Sequence, residues 1–543
     1  MFNKKTILGD IFGGLTASVV ALPLALAFGV QSGMGAIAGL YGAIALGILA
    51  SLFGGTKTQI SGPTGPMVVV ASAVIATEVA IYGSLEKAFA TIIATFVLAG
   101  ILQILMGLSG VGKYIRYMPY PVVSGFMSGI GLIIIALQIF PFFGDKSPLN
   151  VVDIVTSLDK ININFEAMYL SSATIFIIYF FPKLTKKVPS SLVALIVLTI
   201  VAIVLKIDVP IIGDIPKGFP EVHIDTLLGL DWHHPMNMII PALTLASLAT
   251  IDSLLTSVVA DNKTKTKHNS NKELIGQGIG NVVAGMIGGL PGAGATVRTV
   301  VNIDSGGRTQ LSGLIHGVIL LIILLGAGEY AKLIPIPVLA GILVMVGIGI
   351  VDYRGLKHIF KVPKSEAIIM IVVLVLTTFV DLLQAVAVGM VMASLLFMKT
   401  MGDIAQNKTY GMSFAKDTQK IIQMKDDSKI DIYIQLFNGP IFFGFTSYFT
   451  DIISKLPTVN GVAFNMKNVP YIDQSGLYAL EDAILELNTK KIPVYFVGLN
   501  KQVEDMFRKI VLIPNLVEEK ALYLNIKTFE KGLKIKNNCS IVD

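Results

Sequence analysis

The chain has 543 residues, of which 53% are hydrophobic and only 14% charged, and its net charge is +6. Soluble proteins carry about 25% charged residues, so the composition excludes a soluble globular protein and indicates a helical membrane protein with many spans. The single Cys539 excludes a disulfide framework. No nucleic-acid motif and no enzyme constellation accompanies the positive charge, so we expect neither a nucleic-acid partner nor an enzyme activity.

Apolar runs predict fourteen membrane spans, two of them half-length. They cover residues 11–32, 36–53, 66–80, 88–108, 122–141, 168–182, 190–206, 237–260, 275–289, 295–303, 311–328, 335–351, 366–380 and 383–398. With a cytoplasmic N-terminus, eighteen Lys and Arg residues fall in inner loops and six in outer loops, at positions 87, 146, 160, 206, 217 and 332. This bias predicts that both termini are cytoplasmic, in a cell (inner) membrane.

Two of these spans begin with a stretch that cannot form an ordinary helix. One is SGPTGP, Ser61–Pro66, and the other is the segment from Gly288 to Arg308, which contains Pro291, Gly292 and Gly294. Non-helical backbone within a membrane must line a cavity or pack inside protein. A half-helix that starts there directs unpaired N–H groups and a positive dipole end at one point, which favours an anion.

The two halves of the chain, about 8–206 and 237–398, each hold seven spans, so they must have opposite orientations. Broken spans at matching places in two such halves indicate the binding site of an inverted-repeat transporter. We expect the backbone of Thr64, Gly65, Ala295, Thr296 and Val297 to bind an anion, and Arg298 to add a positive charge. The alternative is a pair of tight turns without a ligand.

Asp252 lies in the middle of a span, and Thr256 follows at i+4 on the same helix face. An ionised carboxylate in a membrane is costly unless it is paired. Together with the carbonyls of 293–296, the two side chains suit Na⁺ or a proton; alternatively, Asp252 forms an ion pair with Arg298. Glu273, Gln277 and Asn281 recur at i, i+4 and i+8, which favours hydrogen bonds between helices.

After residue 400 the composition changes, so residues 1–400 are predicted to form the transport domain and 401–429 a linker. From Ile430 to the end at residue 543, strands alternate with amphipathic helices, a pattern typical of a small α/β domain.

Several motifs together resemble one family. NKELIGQGIGNVVAGMIGGLPGAGAT, the following GGRTQLSG, the broken spans and the C-terminal α/β domain are similar to the SulP inorganic-anion transporters with a STAS domain. Within that family, ALPLALAFGV, SGPTGPM and IDSLLTSVVAD are most similar to the bicarbonate transporters of cyanobacteria. The resemblance implies an all-α membrane domain with a seven-plus-seven inverted repeat, a core that moves against a gate, and dimerisation through the C-terminal domain.

The resemblance also implies residue roles. Phe28 would line the anion site, and Na⁺ would be held by Asp252, Thr256 and the residues Gly294, Ala295 and Thr296. Na⁺ as a coupling ion is the only cofactor or metal expected. Leu24 stands where many sulfate-type members have Gln, which favours bicarbonate, whereas Arg298 stands where many chloride and sulfate carriers have Arg, which favours H⁺ coupling or exchange.

Ser475, in the sequence DQSG, matches the place where related anti-sigma antagonists carry a phosphorylated Ser. Its position at the start of a helix favours a helix cap over a phosphorylation site.

The function expected from the sequence is secondary active transport of an inorganic anion, bicarbonate or sulfate, coupled to Na⁺ or H⁺. An exchanger or a channel on the same scaffold is the main alternative. A dicarboxylate or nucleobase permease and a non-transporting membrane anchor are weaker alternatives. A nucleobase site would need an aromatic clamp with a Glu pair, which we do not find. Intact half-helices with Arg298 and Asp252 argue against a mere anchor.

Overall fold

The computed structural model describes residues 4–148, 151–185, 188–213, 218–228, 235–380, 382–407, 410–413, 421–423, 429–430, 432–443, 456, 458–537 and 540–542. The chain divides into two compact units, Met1–Val391 and Met392–Asp543. Each unit is described by itself below.

One helix lies at each of the fourteen predicted spans, thirteen of them within the membrane unit (Met1–Val391) and the last one running on beyond its end. These helices are α1 (Lys4–Ser32), α2 (Ala36–Phe53), α3 (Gly65–Tyr82), α4 (Leu85–Leu108), α5 (Tyr120–Leu137), α8 (Phe165–Leu184), α9 (Ser190–Val204), α11 (Pro235–Thr264), α12 (Ser270–Met286), α13 (Thr296–Asp304), α14 (Gln310–Ala331), α15 (Ile336–Ile350), α17 (Lys364–Phe379) and α18 (Leu382–Asn407). Short helices lie between them: α6 (Ile139–Phe142), α7 (Val151–Thr156), α10 (Ile224–Leu228) and α16 (Tyr353–His358). Among the described residues, eight helices are long and apolar enough to cross a membrane, so the count of fourteen crossings stays a prediction.

Glycine lets the helices of the membrane unit approach closely. A Cβ atom added at Gly100 of α4 would lie 2.7 Å from the carbonyl oxygen of Gly278 in α12 and 2.6 Å from the amide nitrogen of Val282. Neither backbone position could give way without moving its helix. Small residues therefore set the distance between α4 and α12, as expected for helix packing in lipid.

The two broken stretches pair with each other. Strand β1 (Ser61–Gly62) and strand β2 (Ala293–Gly294) form an antiparallel ladder in which Ser61 lies opposite Gly294. Each strand is followed at once by a half-helix, α3 after β1 and α13 after β2. The structure confirms the two interruptions and adds that they are hydrogen-bonded together, which brings the two helix N-termini to one place.

The second unit is a small α/β domain, as predicted. Its strands are β3 (Tyr410–Ser413), β4 (Ile421–Gln423), β5 (Lys429–Ile430), β6 (Ile432–Asn438), β7 (Gly461–Asn468), β8 (Val494–Val497), β9 (Leu522–Tyr523) and β10 (Ser540–Val542). Its described helices are α19 (Gln474–Thr489), α20 (Lys501–Lys509), α21 (Leu512–Asn515) and α22 (Ile526–Asn537).

One sheet of this domain has the order β3-β6-β7-β8-β9, in which β6 to β9 are parallel and β3 is antiparallel to β6. A second sheet has the order β10-β4-β5. Buried aromatic rings fill the core, where Phe464 lies 5.7 Å from Phe437 and 5.6 Å from Phe496, between ring centres. Strands β3 and β4 fall within the predicted linker 401–429.

Candidate functional site at the crossing of two half-helices

Two further hydrogen bonds extend the ladder between β1 and β2, one between backbone groups and one from the backbone to a side chain. The N–H of Ala295 donates to the carbonyl oxygen of Ile60 at 2.8 Å, and the N–H of Ile60 donates to Oγ1 of Thr299 at 3.0 Å. The start of α13 is thereby tied to the strand that precedes α3. The relative position of the two helix N-termini is set by hydrogen bonds.

The first backbone N–H groups of both half-helices are free. In the described part of the chain, the N–H groups of Gly65 and Met67 in α3 and of Thr296, Val297 and Arg298 in α13 make no hydrogen bond. Pro66 has no N–H to offer. Ala295 was predicted to contribute its N–H to an anion; in this structure that N–H donates to Ile60, and a role of Ala295 in ion binding stays a prediction. The free groups and the two dipole ends suit a small anion.

The two ends differ in accessibility. Thr296 is exposed and Val297 is 65% exposed, whereas Gly65 is buried. A Cβ atom added at Gly65 would lie 2.6 Å from Cδ1 of Ile134 and 2.9 Å from Cδ1 of Ile350. The α3 end of the site is therefore covered by side chains of α5 and α15, while the α13 end is open.

The carboxylate of Asp252 contacts the first broken stretch. Asp252 is 9% exposed, and its Oδ2 accepts a 2.7 Å hydrogen bond from Oγ1 of Thr64, the N-cap residue of α3. Thr64 was predicted to bind the anion through its backbone, which stays a prediction, and its hydroxyl is engaged with the carboxylate. The carboxylate that we assign to the cation is thus hydrogen-bonded to the residue directly before Gly65.

Arg298 is buried and also contacts the first broken stretch. The side chain is 2% exposed, and Nη2 donates to the carbonyl oxygen of Pro63. A Cβ atom added at Gly62 would lie 2.6 Å from Nη1, so the backbone there approaches the guanidinium closely. Within the described residues, Nη1 has no hydrogen-bond partner.

No ion pair joins Asp252 and Arg298 within the part of the chain that the structure describes. The alternative of a structural ion pair between them is therefore wrong. Asp252 and Arg298 instead form hydrogen bonds with consecutive residues, Thr64 and Pro63 respectively. This arrangement keeps both charges near the crossing without letting either one satisfy the other directly.

Oxygen atoms of α11 and of the second broken stretch cluster around Thr256, which follows Asp252 by about one helix turn. Oγ1 of Thr256 lies 2.8 Å from the carbonyl oxygen of Gly294 and 2.7 Å from Oγ1 of Thr296. The hydroxyl of Ser253 accepts the N–H of Gly294 at 3.0 Å. A carboxylate, two hydroxyls and a carbonyl are the donors that a hard cation prefers. The predicted Thr256, Gly294 and Thr296 are thus brought together, and their role stays a prediction.

Phe28, predicted to line the anion site, is a buried residue of α1 with 2% of its surface exposed. Its role also stays a prediction.

Three polar residues of α12 form buried hydrogen bonds with other segments, Gln277 and Asn281 with the broken stretches and Glu273 with the segment before the first one. The bond from Asn281 to Gln103 of α4 confirms the prediction of hydrogen bonds between helices. Glu273 accepts hydrogen bonds from the N–H groups of Gly55 and Thr56, at 2.8 and 2.7 Å, and from the side chains of Gln59 and Gln277. The amide of Gln277 also donates to Oγ of Ser61.

The amide of Asn281 exchanges two hydrogen bonds with the backbone of Gly292, at 2.8 and 3.0 Å, and donates a third to Gln103. The backbone groups of Gly292 are thereby satisfied, whereas Oε1 of Gln277 and Nε2 of Gln103 are buried without a partner among the described residues.

Sequence reasoning missed a buried histidine in this region. His316 of α14 is 0% exposed, and neither ring nitrogen has a partner among the described residues. An ionisable residue inside an apolar run is the signal that could have identified it. Pro63 was missed because it contributes only a carbonyl oxygen, for which no residue type is diagnostic.

In the second unit, the cap predicted for Ser475 is wrong. Asp473 is the N-cap residue of α19, and its Oδ1 accepts the N–H of Gly476 at 2.7 Å. Ser475 is an exposed residue of the first turn. Asp is among the strongest capping residues, so its presence two positions earlier decides where the helix starts. Phosphorylation of Ser475 stays a prediction.

Comparison with known proteins places this chain in a family. The family model "Sulfate permease family" matches residues 7–373, and the STAS domain model matches residues 423–528. The chain is 42% identical to Bicarbonate transporter BicA of Picosynechococcus sp., over 95% of this chain and 93% of that protein. It is 32% identical to Putative sulfate transporter YvdB of Bacillus subtilis, over 94% of each chain.

Solved structures agree with this assignment. The transmembrane domain of a cyanobacterium bicarbonate transporter BicA is 47% identical, has a TM-score of 0.64, and covers 71% of this chain and 98% of that one. The murine Solute Carrier 26 family member A9 anion transporter is 18% identical and has a TM-score of 0.82 over 97% of this chain and 91% of that chain, which is a likeness of fold. The family model and the relatives together show that this chain belongs to the sulfate permease family of membrane anion transporters and carries a C-terminal STAS domain.

Proposed function

We propose that the chain takes up bicarbonate across the cytoplasmic membrane by secondary active transport, with Na⁺ as the coupling ion. The observation that carries the proposal is the crossing itself. Free N–H groups of two half-helices meet there, and the hydroxyl of Thr64 connects them to the carboxylate of Asp252. Bicarbonate is favoured over sulfate because the relatives that are 42% identical are named bicarbonate transporters.

The anion would be held mainly by the main chain. Each helix N-terminus contributes a partial positive charge of about half an elementary charge. Gly65 and Met67 would donate from one side, and Thr296 and Val297 from the other. Arg298 would add a full charge behind Pro63, where low accessibility to water makes its field effective over several ångströms.

The cation would be held by side chains of α11. Asp252 supplies the charge, while the hydroxyls of Thr256 and Thr296 and the carbonyl of Gly294 supply neutral oxygens. A proton on Asp252 would serve the same purpose, so H⁺ is the alternative coupling ion. In either case the cation neutralises a carboxylate that hydrocarbon disfavours.

Coupling would follow from the position of Thr64. Its hydroxyl binds Asp252, and its C-terminal neighbour Gly65 offers a free N–H to the anion. Without a cation, the charge on Asp252 repels an anion bound one residue away. With a cation bound, the two substrates attract each other, and the loaded site carries less net charge through the membrane.

Sulfate transport is the second candidate function. Arg298 supports it, because a dianion gains more from a fixed positive charge, and so does the 32% identical putative sulfate transporter. Exchange or channel activity on the same scaffold would show as uptake that needs a counter-anion, or as a current with unitary steps.

We further propose that both termini are cytoplasmic and that the chain forms a homodimer through residues 430–543. The charge bias of the loops supports the orientation, and the separate core of the second unit supports an independent role for it. A chain truncated after residue 429 that remained a dimer in detergent and was fully active in proteoliposomes would exclude that role.

The test is uptake by the purified protein in proteoliposomes. Labelled bicarbonate, sulfate and a dicarboxylate are compared with and without an inward Na⁺ gradient. We expect saturable bicarbonate uptake that the Na⁺ gradient stimulates. Uptake of sulfate alone would replace bicarbonate with the second candidate, and uptake of no anion would contradict the proposed function.

A further inference from the structure

A cavity of about 670 Å³ lies apart from the half-helix crossing. It is lined by the C-terminal ends of α1 and α5, the middle of α3, the N-terminal half of α15 and the loop from Gly144 to Pro148. These are the ends that we predict to face outward. Ser72 is the lining residue of α3 nearest to Gly65, about 10 Å along the helix at 1.5 Å per residue.

Two glutamines line this cavity, one in α1 and one directly after α5. Nε2 and Oε1 of Gln31 in α1 are both buried, and neither has a partner in the described part of the chain. Gln138, directly after α5, is 4% exposed, and its side chain makes no hydrogen bond with the described residues. A buried amide without a partner costs about 1–3 kcal/mol per group. Gln31 is such an amide, and Gln138 adds a second amide without a hydrogen bond at the same cavity, so together they indicate a polar ligand.

The charged residues that line the cavity balance each other. Lys146 and Asp145 both line it, and they have opposite charges. The carboxylate of Asp145 accepts the N–H groups of Lys146 and Asn162, at 2.8 and 3.2 Å. The cavity therefore does not have the excess of positive charge that would favour a dianion, and hydrogen bonding must select its ligand.

The hydrogen-bonding capacity of the cavity matches one kind of anion. Each amide offers an N–H₂ donor and a carbonyl acceptor. An oxyanion with one O–H group has acceptors for the donors and one donor for a carbonyl. Sulfate at neutral pH has acceptors only, so the carbonyl oxygens of Gln31 and Gln138 would face it unpaired.

We propose that this cavity is a second anion site, which binds a monovalent oxyanion bearing one O–H group, the chemistry of bicarbonate, between the amides of Gln31 and Gln138. It holds the anion before the half-helix crossing and contributes selectivity against sulfate. The identity of the transported anion rests on the proposed function, but the preference of the cavity follows from its own residues.

The experiment measures ligand protection, which needs no transport. Cys539 is the only cysteine of the chain, so a Cys539→Ser protein with Val30→Cys carries one thiol in the cavity lining. A membrane-impermeant methanethiosulfonate reagent labels the full-length protein in proteoliposomes, in the presence of increasing bicarbonate or sulfate. Lys160→Cys, exposed and predicted to face the same side, is the control for direct effects of the anions on labelling.

We expect bicarbonate to slow labelling of Val30→Cys, whereas sulfate has little effect. Adding Gln31→Met or Gln138→Met should raise the bicarbonate concentration for half-protection about tenfold, which corresponds to the loss of one hydrogen bond to a charged group. Leu339→Met, another lining residue without a polar group, should leave that concentration unchanged. Size-exclusion profiles check that each variant is folded. The two glutamines lie in different segments, so the test can be made with either variant if the other fails to fold.

Equal protection by sulfate, no protection by bicarbonate, or unchanged protection in both glutamine variants would overturn the proposal. If bicarbonate protects the thiol but no uptake occurs, the proposed function fails and the cavity assignment stands. If uptake occurs and protection does not, the cavity assignment fails alone.

Discussion

The hydroxyl of Thr64 donates a 2.7 Å hydrogen bond to the carboxylate of Asp252. Thr64 is the N-cap residue of the first half-helix, without a capping hydrogen bond from its side chain, and Asp252 lies in the middle of α11, on the other half of the chain. A residue of the anion-binding stretch is therefore bound directly to the group that we assign to the cation. The contact offers a short physical route by which one ion can change the affinity for the other.

Thr64→Val should uncouple the two ions. Valine keeps the shape of threonine but cannot donate to Asp252, so the carboxylate loses a partner. We expect apparent Na⁺ affinity to fall about tenfold, the effect of losing one hydrogen bond to a charged group. Thr64→Ser keeps the hydroxyl and is the matched control. Initial rates of bicarbonate uptake against Na⁺ concentration measure the effect, and equal Na⁺ dependence in Thr64→Val and wild type would rule out this route.

Asp252→Asn should abolish concentrative uptake while the protein stays folded. Asparagine can still accept the hydrogen bond of Thr64, but it carries no charge to bind a cation. Asp304→Asn is the control, because Asp304 pairs with Lys263 at an exposed position of the same region. Unchanged cation dependence of uptake in Asp252→Asn would show that another group carries the coupling ion.

Arg298→Gln should weaken anion binding by about 1–3 kcal/mol, which is roughly ten- to a hundredfold in affinity. The variant removes a buried charge and the hydrogen bond to Pro63. Arg298→Lys keeps the charge without the planar fork, so a smaller loss in that variant would assign the effect to the field of the charge. The readout is the KM for each anion. If Arg298→Gln leaves every KM unchanged, Arg298 only supports the fold.

Asn281→Ala should destabilise the crossing. It leaves the N–H and carbonyl groups of Gly292 buried without partners, and each such group costs about 1–3 kcal/mol. We expect a lower thermal midpoint in detergent and reduced binding of the anion. Asn488→Ala removes an amide at an exposed position of the second unit and serves as the control. An unchanged midpoint in Asn281→Ala would mean that the network around α12 does not stabilise the second broken stretch.

The interruptions at both half-helices could be predicted because Gly and Pro are placed where a helix needs residues that favour it. Their mutual pairing could not, because a two-residue strand such as Ser61–Gly62 has no periodicity and its partner lies in the other half of the chain. The positions of the fourteen helices followed from apolar runs. Which of them contact the crossing depends on tertiary packing, which periodicity does not report.

The sequence predicted which residues lie at the candidate site better than it predicted the contacts between them. Asp252, Thr256 and Arg298 stand out because polar groups inside spans are rare. Their partners could not be deduced, since opposite charges suggested a direct pair and the structure shows hydrogen bonds to Thr64 and Pro63 instead. Gln31 and Gln138 escaped notice because each lies at a span end, where polar residues are ordinary.

The central claim is that an anion and a cation bind together at the crossing of the half-helices. Its most direct test is the uptake of radiolabelled Na⁺ by proteoliposomes that contain the wild-type protein, with and without bicarbonate outside. The account predicts Na⁺ uptake that requires bicarbonate and disappears in Asp252→Asn. Bicarbonate uptake by the same vesicles without any accompanying Na⁺ or H⁺ would contradict it.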